Sequence, residues 1–144
     1  MLAIAADHGG YALKQILIDH LTAQGVSIQD LGCNGESVDY PEYAEKLGRA
    51  VAAGTYEKGI LVCGTGIGMS IAANKIPGVR AALCADCYSA EMTRQHNDSN
   101  VLCLGGRTLG SELAKKIVDI WLSAGFSNGE NHVRRIAMIK ELEK

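Results

Sequence analysis

The sequence predicts an α/β protein with a Rossmann-like, three-layer fold: a five-stranded parallel sheet with helices on both faces. Short, wholly apolar runs alternate along the chain with longer segments of helical periodicity. Most of the seventeen glycines fall at the joins between these segments, as expected where buried strands turn into helices. No internal repeat or long linker interrupts the alternation, so residues 1–144 are expected to form a single domain.

Two strands and two helices are predicted in the first third of the chain. Residues 2–6 form a continuous apolar strand that stops at the polar and glycine residues 7–10. Apolar side chains then recur at helical spacing, at Leu13, Ile16, Leu17 and Leu21. A second strand is predicted over residues 26–31. Pro41 then opens a helix that extends to about residue 53, because proline is favoured in the first helical turn.

The middle of the chain contains the predicted central strand. Residues 59–63 are apolar without interruption, which is typical of a parallel strand buried on both faces. This strand runs directly into a glycine-rich loop, residues 64–68, and a short helix is predicted from about 69 to 75. Residues 80–84 are predicted as the fourth strand, and residues 88–96 as the helix that follows it.

The last third of the chain adds one strand and two helices. Residues 101–104 are predicted as the fifth strand, which ends at a glycine pair. The next helix shows one apolar face, formed by Leu109, Leu113, Ile117 and Trp121. A polar loop precedes a final amphipathic helix, predicted from about 131 to 144, and no strand follows it. The chain therefore ends in a C-terminal helix.

Composition and charge narrow the classes of function. Fourteen basic and sixteen acidic residues give a formal charge of −2, which argues against a nucleic-acid partner. No apolar run approaches the roughly 18 residues of a membrane span, and the N-terminal residues lack the basic region of a secretory signal. Five cysteines, an odd number in mostly apolar surroundings, indicate reduced thiols. We therefore expect a cytoplasmic protein with no membrane association.

Polar residues follow four of the predicted strands. Ligands of open parallel sheets bind beyond the carboxyl ends of the strands, so these residues are the first candidates for a site. They are Asp7 and His8 after the first strand, Cys63 and the glycine loop at the third, Asp86 after the fourth, and Arg107 after the fifth.

The glycine loop predicts an anion site. Gly64, Gly66 and Gly68 alternate with Thr65 and Ile67, which allows successive backbone N–H groups to point towards one spot before a helix. The loop is not a Walker motif, and its Gly-x-Gly-x-Gly spacing differs from the dinucleotide fingerprint.

Two alternatives to this interpretation of the glycine loop remain open. Asp86 lies about twenty residues further on, where a ribose-binding carboxylate is found in dinucleotide folds, so a nucleotide-binding module is the serious alternative. The glycines could also serve only the tight packing of strand against helix.

Cys63 is the strongest candidate for chemistry. It is the last residue of its strand before the glycine loop, and it shares the positive end of the following helix. That position favours the thiolate, which can act as a base or a nucleophile. A free cysteine is most often a small buried residue, and beside an anion site that explanation and a chemical role both remain open.

The histidines are less specific. His8, beside Asp7, is expected at the same edge of the sheet as the glycine loop, although an exposed histidine beside a loop-capping aspartate explains it equally well. His96 closes a helix, where the helix dipole favours a solvated histidine. His20 and His132 are assigned surface roles.

A CxxC spacing and a pair of arginines are the remaining patterns in the sequence. Cys84 and Cys87 have CxxC spacing, but no second pair completes a zinc site and the neighbours typical of thioredoxin are absent. Chance spacing is favoured over a redox function. Arg134 and Arg135 are predicted to open the last helix, where cations oppose the dipole, so they serve either an anion or solvation.

Four segments resemble the type B ribose-5-phosphate isomerases: AADHGG at 5–10, DYP at 39–41, CGTGIGMSIAANK at 63–75 and RQHND at 94–98. They occur in order over nearly the whole chain, and the third segment is highly specific. The wider group includes isomerases of allose 6-phosphate and galactose 6-phosphate. The resemblance implies an aldose–ketose isomerase of the pentose phosphate pathway without metal or cofactor, forming a homodimer or homotetramer with shared active sites.

The resemblance also implies roles for individual residues. Cys63 would move a proton between C1 and C2 of the open-chain sugar, while the backbone of residues 64–68 stabilises the enediolate oxygen. His96, helped by Thr65, would be the acid that opens the sugar ring. The substrate contacts implied are Asp7, His8, Tyr40, Gly64, Gly66, Ile67, Gly68 and Asn97. Arg107 would bind the phosphate.

One departure from the family pattern concerns the phosphate. Related enzymes bring two arginines, four residues apart, from the C-terminal segment of a partner subunit; Arg135 matches the second, but Asn131 stands in the place of the first. Either Arg134 compensates, or the phosphate or the sugar is held differently. The expected reaction is the interconversion of ribose 5-phosphate and ribulose 5-phosphate, with allose or galactose 6-phosphate as alternative substrates.

Overall fold

The computed structural model describes residues 1–144 and contains five strands and six helices. The strands are β1 (Leu2–Ala6), β2 (Ile28–Asp30), β3 (Lys58–Cys63), β4 (Ala81–Leu83) and β5 (Val101–Gly105). The helices are α1 (Tyr11–Ala23), α2 (Tyr40–Ala52), α3 (Ile67–Ala73), α4 (Cys87–Asn97), α5 (Ser111–Ser123) and α6 (Glu130–Glu141). Every predicted strand and helix is present, and the predicted fold class is confirmed.

The five strands form one parallel sheet in the order β2-β1-β3-β5-β4. β3 is central, pairing with β1 on one side and β5 on the other, so that Val62 lies opposite Ala6 and Cys63 lies opposite Gly105. The carboxyl ends of β1, β3 and β5 therefore meet at one edge of the sheet. β4 follows β3 in the chain but is separated from it by β5.

Each face of the sheet is covered by a hydrophobic core, which gives the three layers. On one face, Ile4, Ile60 and Leu102 pack against α1, α4 and α5, and the fully buried Trp121 belongs to the same cluster. On the other face, Leu61 and the remaining alternate strand residues pack against α2 and α3. Because successive side chains of a strand point to opposite faces, a buried parallel strand must be apolar throughout, as β3 is.

The limits of several elements differ from the sequence prediction. β2 and β4 have three residues each, although backbone hydrogen bonds to the neighbouring strands continue past them, from the Leu31 N–H to the Ile4 carbonyl and from the Cys84 N–H to the Cys103 carbonyl. The helix predicted to include Leu109 begins at Ser111, although Leu109 still packs against the core.

The final helix also differs from its prediction. It runs from Glu130 to Glu141 rather than from about 131 to 144. Arg134 and Arg135 are its fifth and sixth residues, so they lie in its second turn and do not open it. None of the six helices combines the length and the apolar character that crossing a membrane requires.

Candidate active site

A cavity of about 470 Å³ lies at the edge of the sheet where β1 and β3 end. Its lining residues come from the loop after β1, the start of α2, the glycine loop with α3, and the loop after β5. They are Asp7, Tyr40, Cys63, Gly64, Thr65, Ile67, Gly68, Ile71 and Arg107. All except Ile71 were predicted from the sequence. Ile71 was missed because an apolar residue in a helix carries no sequence signal for a site.

Cys63 ends β3 at the base of this cavity and is 5% exposed. Its Sγ accepts a hydrogen bond from the backbone N–H of Gly66 at 3.1 Å. Its carbonyl oxygen accepts the N–H of Gly106 at 2.8 Å, which fixes the end of β3 against the end of β5. The Gly66 N–H therefore fixes the position of the sulfur beside the glycine loop.

The glycine loop presents backbone donors that the protein does not use. The N–H groups of Gly64, Thr65 and Gly68 have no hydrogen-bond acceptor within the chain, whereas that of Ile67 donates to Thr65 Oγ1 at 3.2 Å. All of these residues line the cavity. Unpaired donors beside a thiol can stabilise negative charge that develops on a substrate oxygen.

Glycine is required at one position in the loop and allows close packing at another. Gly66 has φ +79°, in the left-handed region, and a Cβ there would lie 2.8 Å from the carbonyl carbon of Leu104. A Cβ at Gly68 would lie 2.6 Å from the ring of Tyr40, so the tyrosine ring packs directly on the first turn of α3. The glycines therefore set the shape of the cavity, beyond permitting strand and helix to pack.

Asp7 and His8 are both fixed by backbone donors. Asp7 is 7% exposed, and its Oδ1 accepts the N–H groups of Gly9 at 2.9 Å and Gly10 at 3.1 Å. Its Oδ2 accepts no hydrogen bond from the protein and is available to a hydroxyl of a ligand. His8 is exposed and outside the cavity lining, and its Nδ1 accepts the N–H of Val38 at 3.3 Å.

Arg107 supplies the positive charge of the cavity. Its N–H donates to the carbonyl of Gly64 at 2.9 Å, and its Nη1 lies 3.4 Å from the point where a Cβ on Gly64 would stand. The guanidinium group thus covers the first residue of the glycine loop. A forked donor at this place can bind a phosphate or carboxylate with two hydrogen bonds.

His96, Asn97 and Arg135 lie away from this cavity within one chain. α4 begins after β4 and ends at Asn97, shortly before β5 begins, so His96 and Asn97 are at the amino-terminal edge of the sheet. The six residues of β3 separate the two edges by about 20 Å. Arg135 lies in α6, whose flanking residues are bonded to the same edge: Ser127 N–H to the Gln95 carbonyl, and Gly78 N–H to Glu143.

His132 is a polar contact that the sequence did not indicate. It was assigned a surface role, but its ring lies 4.3 Å from the ring of His96, centre to centre, and its Nδ1 is 2.7 Å from Ser127 Oγ. The two histidines are thirty-six positions apart, and only the packing of α6 on α4 brings them together.

Asp86, on which the nucleotide-binding alternative depends, has a structural role. Asp86 caps α4, accepting the N–H of Ser89 at 2.7 Å and its hydroxyl at 2.8 Å. Because β5 separates β4 from β3, Asp86 is two strands away from the glycine loop and does not occupy the place of a ribose-binding carboxylate.

The CxxC thiols are not paired. Burial raises the pKa of Cys84 to about 11, and the nearby Asp86 adds to that effect, so Cys84 is a poor redox thiol at neutral pH. Burial also raises the pKa of the core thiol Cys103.

Fold and cavity together define a class of protein: a parallel α/β protein with a thiol, a carboxylate and an arginine around unpaired backbone donors, suited to chemistry on a small anionic substrate. A family model of ribose/galactose isomerases matches residues 2–139. This chain belongs to the ribose/galactose isomerase family.

Individual relatives agree along the whole chain. Ribose-5-phosphate isomerase B of Escherichia coli strain K12 is 48% identical over 144 residues, with 99% of this chain and 96% of the relative covered. The structure of Clostridium thermocellum ribose-5-phosphate isomerase B has 49% identity and a TM-score of 0.96, covering 99% of this chain and 96% of the other. Ribose-5-phosphate isomerase B of Mycoplasma genitalium, with bound ribulose-5-phosphate, has 41% identity and a TM-score of 0.93, at 99% and 95% coverage.

Proposed function

We propose that this protein is an aldose–ketose isomerase that interconverts ribose 5-phosphate and ribulose 5-phosphate through an enediolate. The observation that carries the proposal is Cys63, whose sulfur accepts the Gly66 N–H at the base of a cavity lined by unpaired backbone donors. The names of the relatives, and the ribulose-5-phosphate in the Mycoplasma structure, support this substrate pair.

Cys63 acts as the base in this mechanism. Its thiolate removes the proton from C2 of the open-chain aldose, and the electron pair moves into the C1–C2 bond as the carbonyl oxygen O1 gains negative charge. The N–H groups of Gly64, Thr65 and Gly68 stabilise that charge. The thiol then returns its proton to C1, and the proton of the C2 hydroxyl passes to O1. The product is the ketose.

The acid half of the site comes from a second copy of the chain. His96, Asn97 and Arg135 are exposed at the opposite edge of the sheet from Cys63, so one chain cannot bring both sets to one substrate. Ile67 and Ile71, at the mouth of the cavity, are 50% and 59% exposed, and this apolar pair would be buried by a partner. His96 of the partner subunit then opens the sugar ring, and Asn97 of the partner subunit contacts the sugar.

The phosphate is held by arginines from both chains. Arg107 lies over Gly64 in one chain, and Arg135 of the partner subunit supplies the second guanidinium. Asn131, in the first turn of α6, stands at the position where the family resemblance implies another arginine, and Arg134, three residues further on, compensates for it.

Because Asn131 alters the phosphate end of the site, a six-carbon sugar phosphate is the second candidate substrate. Comparison of kcat/KM for ribose 5-phosphate, allose 6-phosphate and galactose 6-phosphate decides between them. The largest kcat/KM is expected for ribose 5-phosphate, and a larger kcat/KM for either hexose phosphate would identify that hexose phosphate as the preferred substrate.

Five free thiols are typical of a protein that works in a reducing compartment, and we place this enzyme in the cytoplasm.

The variant Cys63→Ala tests the proposed base. Loss of a general base is expected to lower kcat on the order of a thousandfold, while binding of a pentose phosphate and the thermal midpoint stay close to the parent values. Cys87→Ala is the matched control, because Cys87 is partly exposed and outside the cavity. Isomerisation by Cys63→Ala at the parent rate would refute the mechanism.

A further inference from the structure

The turn that follows α4 carries an unusual backbone conformation directly after the proposed acid. Asp98, the C-terminal cap residue of α4, has φ +46° and ψ +46°, in the left-handed region. Non-glycine residues adopt this conformation at a cost, so it persists where surrounding contacts hold it. The turn reverses the chain from α4 into β5 and leaves His96 and Asn97 exposed at its corner.

Arg80 holds this turn from outside α4. It lies in the segment before β4, and its Nε donates to the carbonyl oxygens of Asn97 at 3.1 Å and Asp98 at 3.2 Å, while its Nη2 donates to the Asp98 carbonyl at 2.9 Å. Nη2 also lies 3.5 Å from the Asp98 carboxylate. The backbone adds two bonds with Asn100: the Arg80 N–H donates to Asn100 Oδ1 at 2.8 Å, and the Asn100 N–H donates to the Arg80 carbonyl at 3.0 Å.

The same turn is tied to the core on its other side. Arg94, which is buried, donates from Nη1 to the Asp98 carboxylate at 3.0 Å and to the Ser99 carbonyl. The hydroxyl of Ser99 accepts the indole N–H of Trp121 at 3.0 Å. The inner side of the turn is therefore anchored by buried groups, and Arg80 is the anchor on the accessible side, with a side chain that is 26% exposed.

The contacts of Arg80 suit positioning better than they suit stability. An ion pair with this much exposure contributes little to the free energy of unfolding. Its donors point at the carbonyl oxygens of Asn97 and Asp98, so they define where the last turn of α4 lies. An acid must stand within hydrogen-bond reach of the oxygen that it protonates, and a shift of about 1 Å can lower the rate a hundredfold.

We propose that Arg80 is a positioning residue for ring opening, acting through the 97–99 turn to fix the acid His96. This inference rests on the proposed function, because it requires His96 to act on the sugar ring. Arg80 itself does not contact the substrate. Loss of Arg80 affects ring opening only, since the proton transfer by Cys63 does not depend on Arg80.

The test measures the two steps with different substrates. Ribose 5-phosphate is mostly cyclic and must be opened, whereas ribulose 5-phosphate has its O5 phosphorylated and stays open. We would compare kcat for ribose 5-phosphate with the rate of deuterium incorporation from D₂O into ribulose 5-phosphate, which reports enediolate formation alone. The variants are Arg80→Gln, Arg80→Lys, His96→Asn and Cys63→Ala, with Arg49→Gln as control, because Arg49 also loses an exposed ion pair but lies in α2.

For Arg80→Gln we expect kcat with ribose 5-phosphate to fall tenfold to about a hundredfold, while deuterium incorporation stays within about threefold of the parent. Arg80→Lys should recover part of the loss, His96→Asn should show the same separation of rates, and Arg49→Gln should match the parent. Equal loss of both rates in Arg80→Gln, or loss of neither, would overturn the role of Arg80 and leave the proposed function standing. If His96→Asn does not separate the rates, or Cys63→Ala retains both, the proposed function itself fails.

Discussion

At the scale of single residues, the positions of Cys63 and the glycine loop in the sequence were enough to predict the proposed reactive half of the site. Cys63 and the glycine loop stand at the end of an uninterrupted apolar run, and the carboxyl edge of a parallel sheet is where ligands bind. The sequence could not show that the Gly66 N–H reaches the sulfur, because that contact depends on the left-handed φ of Gly66. The contact between His96 and His132 was equally invisible, since it depends on tertiary packing.

The variant Gly66→Ala tests the role of the loop conformation. A Cβ at this position must adopt φ +79° and would lie 2.8 Å from backbone at Leu104, so we expect destabilisation by at least about 1 kcal/mol and loss of most activity. Gly125→Ala is the control, because no atom lies within 4 Å of a Cβ there. Denaturant unfolding and steady-state kinetics measure both effects. A fully stable and active Gly66→Ala variant would show that the loop does not need its left-handed residue.

At the scale of elements, the number and type of the strands and helices could be predicted, and their limits could not. Apolar periodicity continues beyond the hydrogen-bonded part of an element, as Leu109 shows by packing on the core ahead of α5. The edge strands β2 and β4 are shorter than the sequence predicted, although single hydrogen bonds to β1 and β5 continue past their limits. The last helix likewise begins one residue earlier than the pattern indicated, at Glu130.

The N-terminal cap of α4 gives a pH-dependent prediction at this scale. Hydrogen bonds from the backbone and side chain of Ser89 hold the pKa of Asp86 below its usual value. A carboxylate whose pKa is lowered by folding stabilises the native state above its unfolded pKa of about 3.9, and this contribution disappears as pH falls through the folded value. Asp86→Ala should therefore lower the thermal midpoint at pH 7, and the difference from the parent should shrink below about pH 4. A difference that is independent of pH would contradict the capping role.

At the scale of the whole molecule, the strand order decides how the site is built. Local patterns predict five parallel strands, but they do not show that β5 lies between β3 and β4, because pairing depends on contacts far apart in sequence. That order places the end of β5 and Arg107 beside Cys63, and it moves Asp86 away. Because α4 ends at the opposite edge, with His96 and Asn97, the proposed complete site requires two chains.

Complementation between two variants tests whether the site is shared between chains. With ribose 5-phosphate as substrate, Cys63→Ala and His96→Asn are each expected to lose most of their activity alone, and after unfolding, mixing and refolding together, half of the dimers carry one chain of each. In a two-fold symmetric dimer, one of the two sites in such a mixed dimer has both native residues, so about a quarter of the parent activity should return. Activity that stays at the level of the separate variants would contradict a site shared between chains.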